Sequence, residues 1–118
     1  MKEIKDNDLS ELSGEKCLLL LYFTASWCGP CQKIKPMLIK LAEGLDNSKI
    51  KFFMIDIDEN DEIAEKFKIR GVPTFYLLHN NEELGHFTGA DITKVHKLIK
   101  DNLQRVKINK INKINKTN

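Results

Sequence analysis

Long apolar runs are missing from this sequence. The longest, Leu18 to Phe23, is far too short to cross a bilayer. The opening stretch, MKEIKDNDLSELSGEK, mixes charges and holds no apolar segment, so no secretory signal is read there. The expectation is a soluble, cytoplasmic protein with no membrane contact. Cysteine is scarce and odd in number, three residues in 118, which argues against a fully paired disulfide framework. Metal-ligand spacing is also missing. A zinc site needs about four ligands, and Cys17, His79, His86 and His96 are scattered. No metal is expected. Charge of one sign is nearly absent overall, at +2, but it is unevenly spread. Residues 105–118 carry Arg105, Lys107, Lys110, Lys113 and Lys116 and no acid, giving +5 and leaving −3 for the rest. This tail lacks aromatic residues for base stacking and repeats Lys-Ile-Asn at a period matching neither helix nor strand. It reads as a disordered, solvated end over 107–118, with no nucleic acid as partner.

What is present fits one domain over residues 1–106, with an ordinary apolar fraction of 42%. Ile4 lies in a weak first strand, and Leu9 and Leu12 suggest a short helix that Gly14 ends. Leu18 to Phe23 is continuous, short and apolar, which predicts a central strand buried on both faces. From Cys28 the period changes: Ile34, Met37, Leu38, Leu41 and Leu45 fall at helical spacing, Pro36 interrupts the backbone bonding, and Gly44 marks the end. Ile50 to Ile57 predicts a second buried strand. Asp58 or Asn60 is placed to cap a helix burying Ile63, Ala64 and Phe67, which Arg70-Gly71-Val72-Pro73-Thr74 breaks. Phe75 to Leu78, a turn at Asn80-Asn81 and a strand near Leu84 to Thr88 predict a hairpin, since asparagine tolerates positive φ. Asp91 is placed to cap a last helix burying Ile92, Val95, Ile99, Leu103 and Val106. The order (β)αβαβαββα predicts an α/β fold whose mixed sheet of four to five strands carries helices on both faces.

Between the first buried strand and the first long helix lies Trp27-Cys28-Gly29-Pro30-Cys31. Two thiols two residues apart serve equally as staple, metal clip or redox centre. Their placement at a strand-to-helix turn, with Pro36 in the helix, Val72-Pro73-Thr74 ahead of a hairpin and Gly89 after it, resembles the thioredoxin family from about Leu18 to Val106. The resemblance implies the thioredoxin fold and a protein-disulfide reductase working in electron transport and cell redox homeostasis. It implies a cis Pro73 whose preceding residue, Val72, pairs with the client chain. Trp27, Val72, Pro73 and Gly89 then form the client-binding wall. It further implies no bound cofactor, electrons from an NADPH-dependent flavoprotein thioredoxin reductase, and oxidised clients such as peroxiredoxins or ribonucleotide reductase. A monomer is expected.

The residues support the same chemistry. Only a thiolate attacks a disulfide. At a helix start, unpaired N–H groups and the macrodipole favour negative charge, and Cys28 is placed to receive that help as an exposed nucleophile. Cys31, one turn deeper, can resolve the mixed disulfide. Gly29-Pro30 adds no cation to stabilise the thiolate, which points to a reductant rather than an exported oxidant.

Two positions depart from the family. A buried aspartate usually sits six residues before the first cysteine; here that position is Tyr22, and its usual lysine partner is Met54. A tyrosine, with a reference pKa of about 10, is a poor base near neutrality, so slower deprotonation of Cys31 is expected. The string Leu21 to Cys28 also resembles tryparedoxins and nucleoredoxins, which usually carry Pro-Pro between the cysteines on a longer chain. Cys17 reads as a small, buried or half-buried apolar residue. The alternative function is a thioredoxin-fold adaptor whose redox centre is secondary or idle.

Overall fold

The computed structural model describes residues 1–12 and 16–116, with side chains through Arg105 outside 13–15. Five strands form one sheet: β1 (Lys2–Ile4), β2 (Leu18–Thr24), β3 (Ile50–Asp56), β4 (Thr74–His79) and β5 (Glu82–Thr88). The helices are α1 (Gly29–Glu43), α2 (Asp61–Lys66) and α3 (Ile92–Lys116), and Leu9–Leu12 makes a single 3-10 turn. Strand order is β1-β3-β2-β4-β5, with β1, β3 and β2 parallel and β4 and β5 antiparallel. This is the mixed five-stranded sheet that the element order predicts, with the weak first strand present at its edge.

The central strand β2 is buried along its whole length. Because side chains alternate, Leu18, Leu20 and Tyr22 face one layer and Leu19, Leu21 and Phe23 the other. The first layer gathers Cys31, Ile34 and Leu38 of α1 with Val95 and Ile99 of α3. The second gathers Ile4, Leu12 and Ile63 of α2, with Cys17 half-buried against them. Two covered faces explain why β2 reads as an unbroken apolar run rather than an alternating one.

Local chemistry agrees with the sequence at several points. Asn80 and Asn81 turn the β4–β5 hairpin with φ of 52° and 67°, the geometry of a type I′ turn. Oδ1 of Asp91 accepts from the amides of Thr93 and Lys94, so Asp91 caps α3. Three expectations need correction. Met37 is 52% exposed: at 100° per residue it lies on the flank of the stripe that Ile34, Leu38, Leu41 and Leu45 define. Asn60 precedes α2 but makes no side-chain cap. Its Nδ2 instead donates to the carbonyls of Ile4 and Asp56. The cap comes from Asn7, whose Oδ1 accepts from the amides of Glu62 (3.0 Å) and Ile63 (3.1 Å). Nor does α2 wait for residues 70–74 to end. Lys68 takes φ 54°, its amide bonds to the Glu65 carbonyl and that of Ile69 to the Ala64 carbonyl, which is a Schellman stop.

The sequence ended the last helix near Val106 and took 107–118 as disordered. The backbone of α3 runs to Lys116, and no glycine or proline after Gly89 interrupts it. The side chains of the Lys-Ile-Asn repeat and residues 117–118 lie outside the described residues. Among the described residues no helix is long and apolar enough to cross a membrane.

Candidate functional site

The site forms where β2 ends and α1 begins. After Thr24 the chain turns: the amide of Cys28 donates to the Ala25 carbonyl at 3.1 Å, and Nε2 of Gln32 reaches the same carbonyl at 3.0 Å. Cys28 is the N-cap of α1, with extended backbone angles. Its Sγ accepts a hydrogen bond from the amide of Cys31 at 3.2 Å. The sulfur therefore stands in the cap position that serine or aspartate usually fills, at the positive end of a 15-residue helix with no acid in its first turn. Such a position favours negative charge on sulfur. Pro30 suits the first turn, where no amide hydrogen is missed.

Cys28 and Cys31 are joined in a disulfide, with Cα atoms 5.3 Å apart. Cys31 is wholly buried. Cys28 was expected to be exposed, yet only 5% of its surface is accessible. The reason is the loop opposite. The Val72–Pro73 peptide is cis, as the resemblance implied, and the Val72 carbonyl oxygen lies 3.7 Å from Sγ of Cys28.

Trp27 stands 68% exposed, an uncommon position for so large an apolar ring. Its Nε1 donates to Oδ2 of Asp58 at 2.9 Å, tying the indole to the β3–α2 connection. The cis loop is braced from behind. Thr74 Oγ1 donates to the Gly71 carbonyl (2.7 Å) and lies 2.8 Å from Oγ1 of Thr88. The amide of Gly89 donates to the Pro73 carbonyl (2.9 Å). Gly89 has φ of 130°, a conformation open to glycine and strained for any L side chain.

The structure thus brings Trp27, Cys28, Gly29, Pro30, Cys31, Val72, Pro73 and Gly89 to one end of the sheet. Sequence reasoning missed Asp58 as the tether of Trp27, having weighed it only as a helix cap. It missed Thr88 and Gln32 as braces as well. None carries a sequence signal, because each acts through a partner 7 to 31 residues away.

Tyr22 lies beneath the pair. It is fully buried, stacks on Phe75 with ring centroids 5.5 Å apart, and donates its hydroxyl to the Cys31 carbonyl at 2.6 Å. Burial pushes its phenol above the ordinary value of 10.0. Met54 is its register neighbour on β3, so the two departures from the family pattern sit side by side. Among the described residues no buried carboxylate lies in the core, and no three His, Cys, Asp or Glu side chains gather as a metal site.

Comparison with known proteins agrees with this geometry. A family model described as Thioredoxin matches residues 2–104. A thioredoxin of Echinococcus granulosus is 37% identical over 99 residues, covering 82% of this chain and 90% of that protein. The crystal structure of the reduced Schistosoma mansoni thioredoxin pre-protein superposes with a TM-score of 0.77 at 39% identity, over 84% of this chain and 94% of that one. A chain from a structure concerning thiol resolution in a yeast mitochondrial 1-Cys peroxiredoxin via glutathione/thioredoxin systems gives 0.75 at 31% identity, over 86% and 94%. With its cysteine pair at the head of α1 and this fold behind it, the chain belongs to the thioredoxin family and is a thiol–disulfide oxidoreductase that reduces protein disulfides.

Proposed function

We propose that the protein reduces its clients in two displacements. The thiolate of Cys28 attacks a client disulfide, forming a mixed disulfide and releasing one client thiolate. The thiol of Cys31 then loses its proton and attacks Sγ of Cys28. The second client sulfur leaves, and the Cys28–Cys31 bond of the present structure results. Two electrons and two protons pass to the client. The single observation that carries this is the seat of Sγ of Cys28: at a helix N-terminus, 3.2 Å from the Cys31 amide and 3.7 Å from the Val72 carbonyl.

Trp27 and Gly89 flank the client strand, which pairs with the backbone at Val72 ahead of the cis Pro73. No bound cofactor is needed. Electrons return from an NADPH-dependent flavoprotein reductase, and peroxiredoxins and ribonucleotide reductase are fitting clients. The peroxiredoxin system of the yeast structure neighbour supports the first of these. The protein acts as a cytoplasmic monomer.

Trapping tests the reading. Cys31→Ser should accumulate client proteins bound through Cys28 that dithiothreitol releases, and the Cys28→Ser variant should trap none. Insulin-disulfide reduction should need both cysteines. Equal capture by the double serine variant would instead identify an adaptor.

A further inference from the structure

The hydroxyl of Tyr22 is a buried polar group to which the two displacements assign no task. Tyr22 stands on the central strand, fully buried, and a tyrosine so placed needs a partner for its hydroxyl. That partner is the backbone of the second redox cysteine, with the hydroxyl 2.6 Å from the Cys31 carbonyl. The amide of the same residue donates to Sγ of Cys28. Cys31 is therefore gripped at both ends of its backbone, by the other sulfur and by the sheet.

We propose that Tyr22 is a positioning residue for the resolving sulfur: its hydroxyl fixes the height of Cys31 above β2 and so sets the effective concentration of its sulfur at Sγ of Cys28. The inference rests on the disulfide-reductase reading. Closure of a neighbouring pair is favoured to the extent that the second group is already in place. The disulfide form is held covalently whether or not the hydroxyl is there. The dithiol and the mixed disulfide are not, so in them part of the hydrogen bond's energy goes into ordering Cys31, and loss of the hydroxyl costs the disulfide form more. In the resolving step the Cys28–client bond breaks, the Cys28–Cys31 bond forms, and the proton of Cys31 goes to the departing client sulfur. The client disulfide is the only oxidant.

Tyr22→Phe tests this, because it keeps the ring and its stack on Phe75. One neutral hydrogen bond corresponds to roughly a fivefold change in an equilibrium constant. The disulfide-forming constant against glutathione should fall about fivefold, making the couple more oxidising by about 20 mV. Resolution of a glutathione mixed disulfide at Cys28 should slow by a similar factor. Tyr76→Phe is the control. It removes a hydroxyl that donates to the Phe67 carbonyl at 2.9 Å, with its ring in the layer away from the cysteines, and should leave both readouts unchanged. With Tyr76 replaced, Tyr22 is the only tyrosine, so biosynthetic 3-fluorotyrosine labels it alone. The stronger donor should shift the couple the opposite way, which keeps a test available should Tyr22→Phe fold poorly. A Tyr22→Phe constant within twofold of wild type, or an equal shift from Tyr76→Phe, overturns the proposal. A wild-type protein that fails to reduce insulin disulfides would instead overturn the reductase reading, since the glutathione equilibrium needs no client.

Discussion

Asn7 is the residue whose replacement most directly tests how α2 is held. It serves two purposes at once. Its Oδ1 accepts from both Glu62 and Ile63 amides, the orphan donors at the start of a six-residue helix, and its own amide donates to Oδ1 of the buried Asn60 at 2.9 Å. It also sits at φ 55°, a conformation asparagine tolerates and alanine does not. Losing the cap costs about 1 kcal/mol. Forcing alanine into the left-handed region costs about 1 kcal/mol more. Asn7→Ala should therefore lose about 2 kcal/mol, and Asn7→Gly about 1 kcal/mol, because glycine loses the cap but not the backbone freedom. In urea, with a slope of about 1.5 kcal/mol per M for a domain this size, the midpoint should fall by about 1.3 M for alanine and half that for glycine. Insulin reduction below the transition should stay at the wild-type rate, since Asn7 touches no site residue. If Asn7→Gly matches wild type, the long-range cap contributes nothing. If the two variants match each other, the positive φ carries no cost.

Lys68 ends α2 in the left-handed conformation that glycine adopts freely, so Lys68→Gly should raise the urea midpoint by the equivalent of about 0.5 kcal/mol; a loss of stability would contradict the Schellman reading. Burial raises the Tyr22 phenol above 10.0, so the folded state holds that proton longer than the unfolded chain does. The sign is fixed: the contribution is complete below about pH 10 and is lost as pH rises through the higher folded value. Absorbance at 295 nm should show Tyr22 ionising only with alkaline unfolding, and in Tyr22→Phe this part of the alkaline loss should vanish.

How far the sequence could be read depends on the range of each interaction. Features written within a few residues were legible. The apolar run of β2, the thiol pair, the asparagine turn and the Asp91 cap all declare themselves by neighbours in the chain, while the cis Val72–Pro73 peptide came from the family resemblance. Features made by contact across the fold were not. Nothing in DIDEN says that Asp58 will hold an indole 31 positions earlier, or that Asn7 will cap a helix 55 positions later. The coverage of Cys28 by the Val72 carbonyl likewise comes from a loop 44 residues away. Met37 was misplaced for a gentler reason: helical spacing alone does not separate the centre of an apolar stripe from its margin. Tyr22 was visible as a departure, but its hydrogen-bond partner needed the helix to be set on the sheet.

The disulfide closes a ring that skips only Gly29 and Pro30. Cross-links restrain an unfolded chain according to the length they enclose, and one this short contributes only about 2 kcal/mol on that account. Opening and closing it thousands of times therefore asks little of the scaffold, whose sheet and two layers do not depend on the bond. On that account the carrier can be discharged and recharged with little change in how firmly its chain is held.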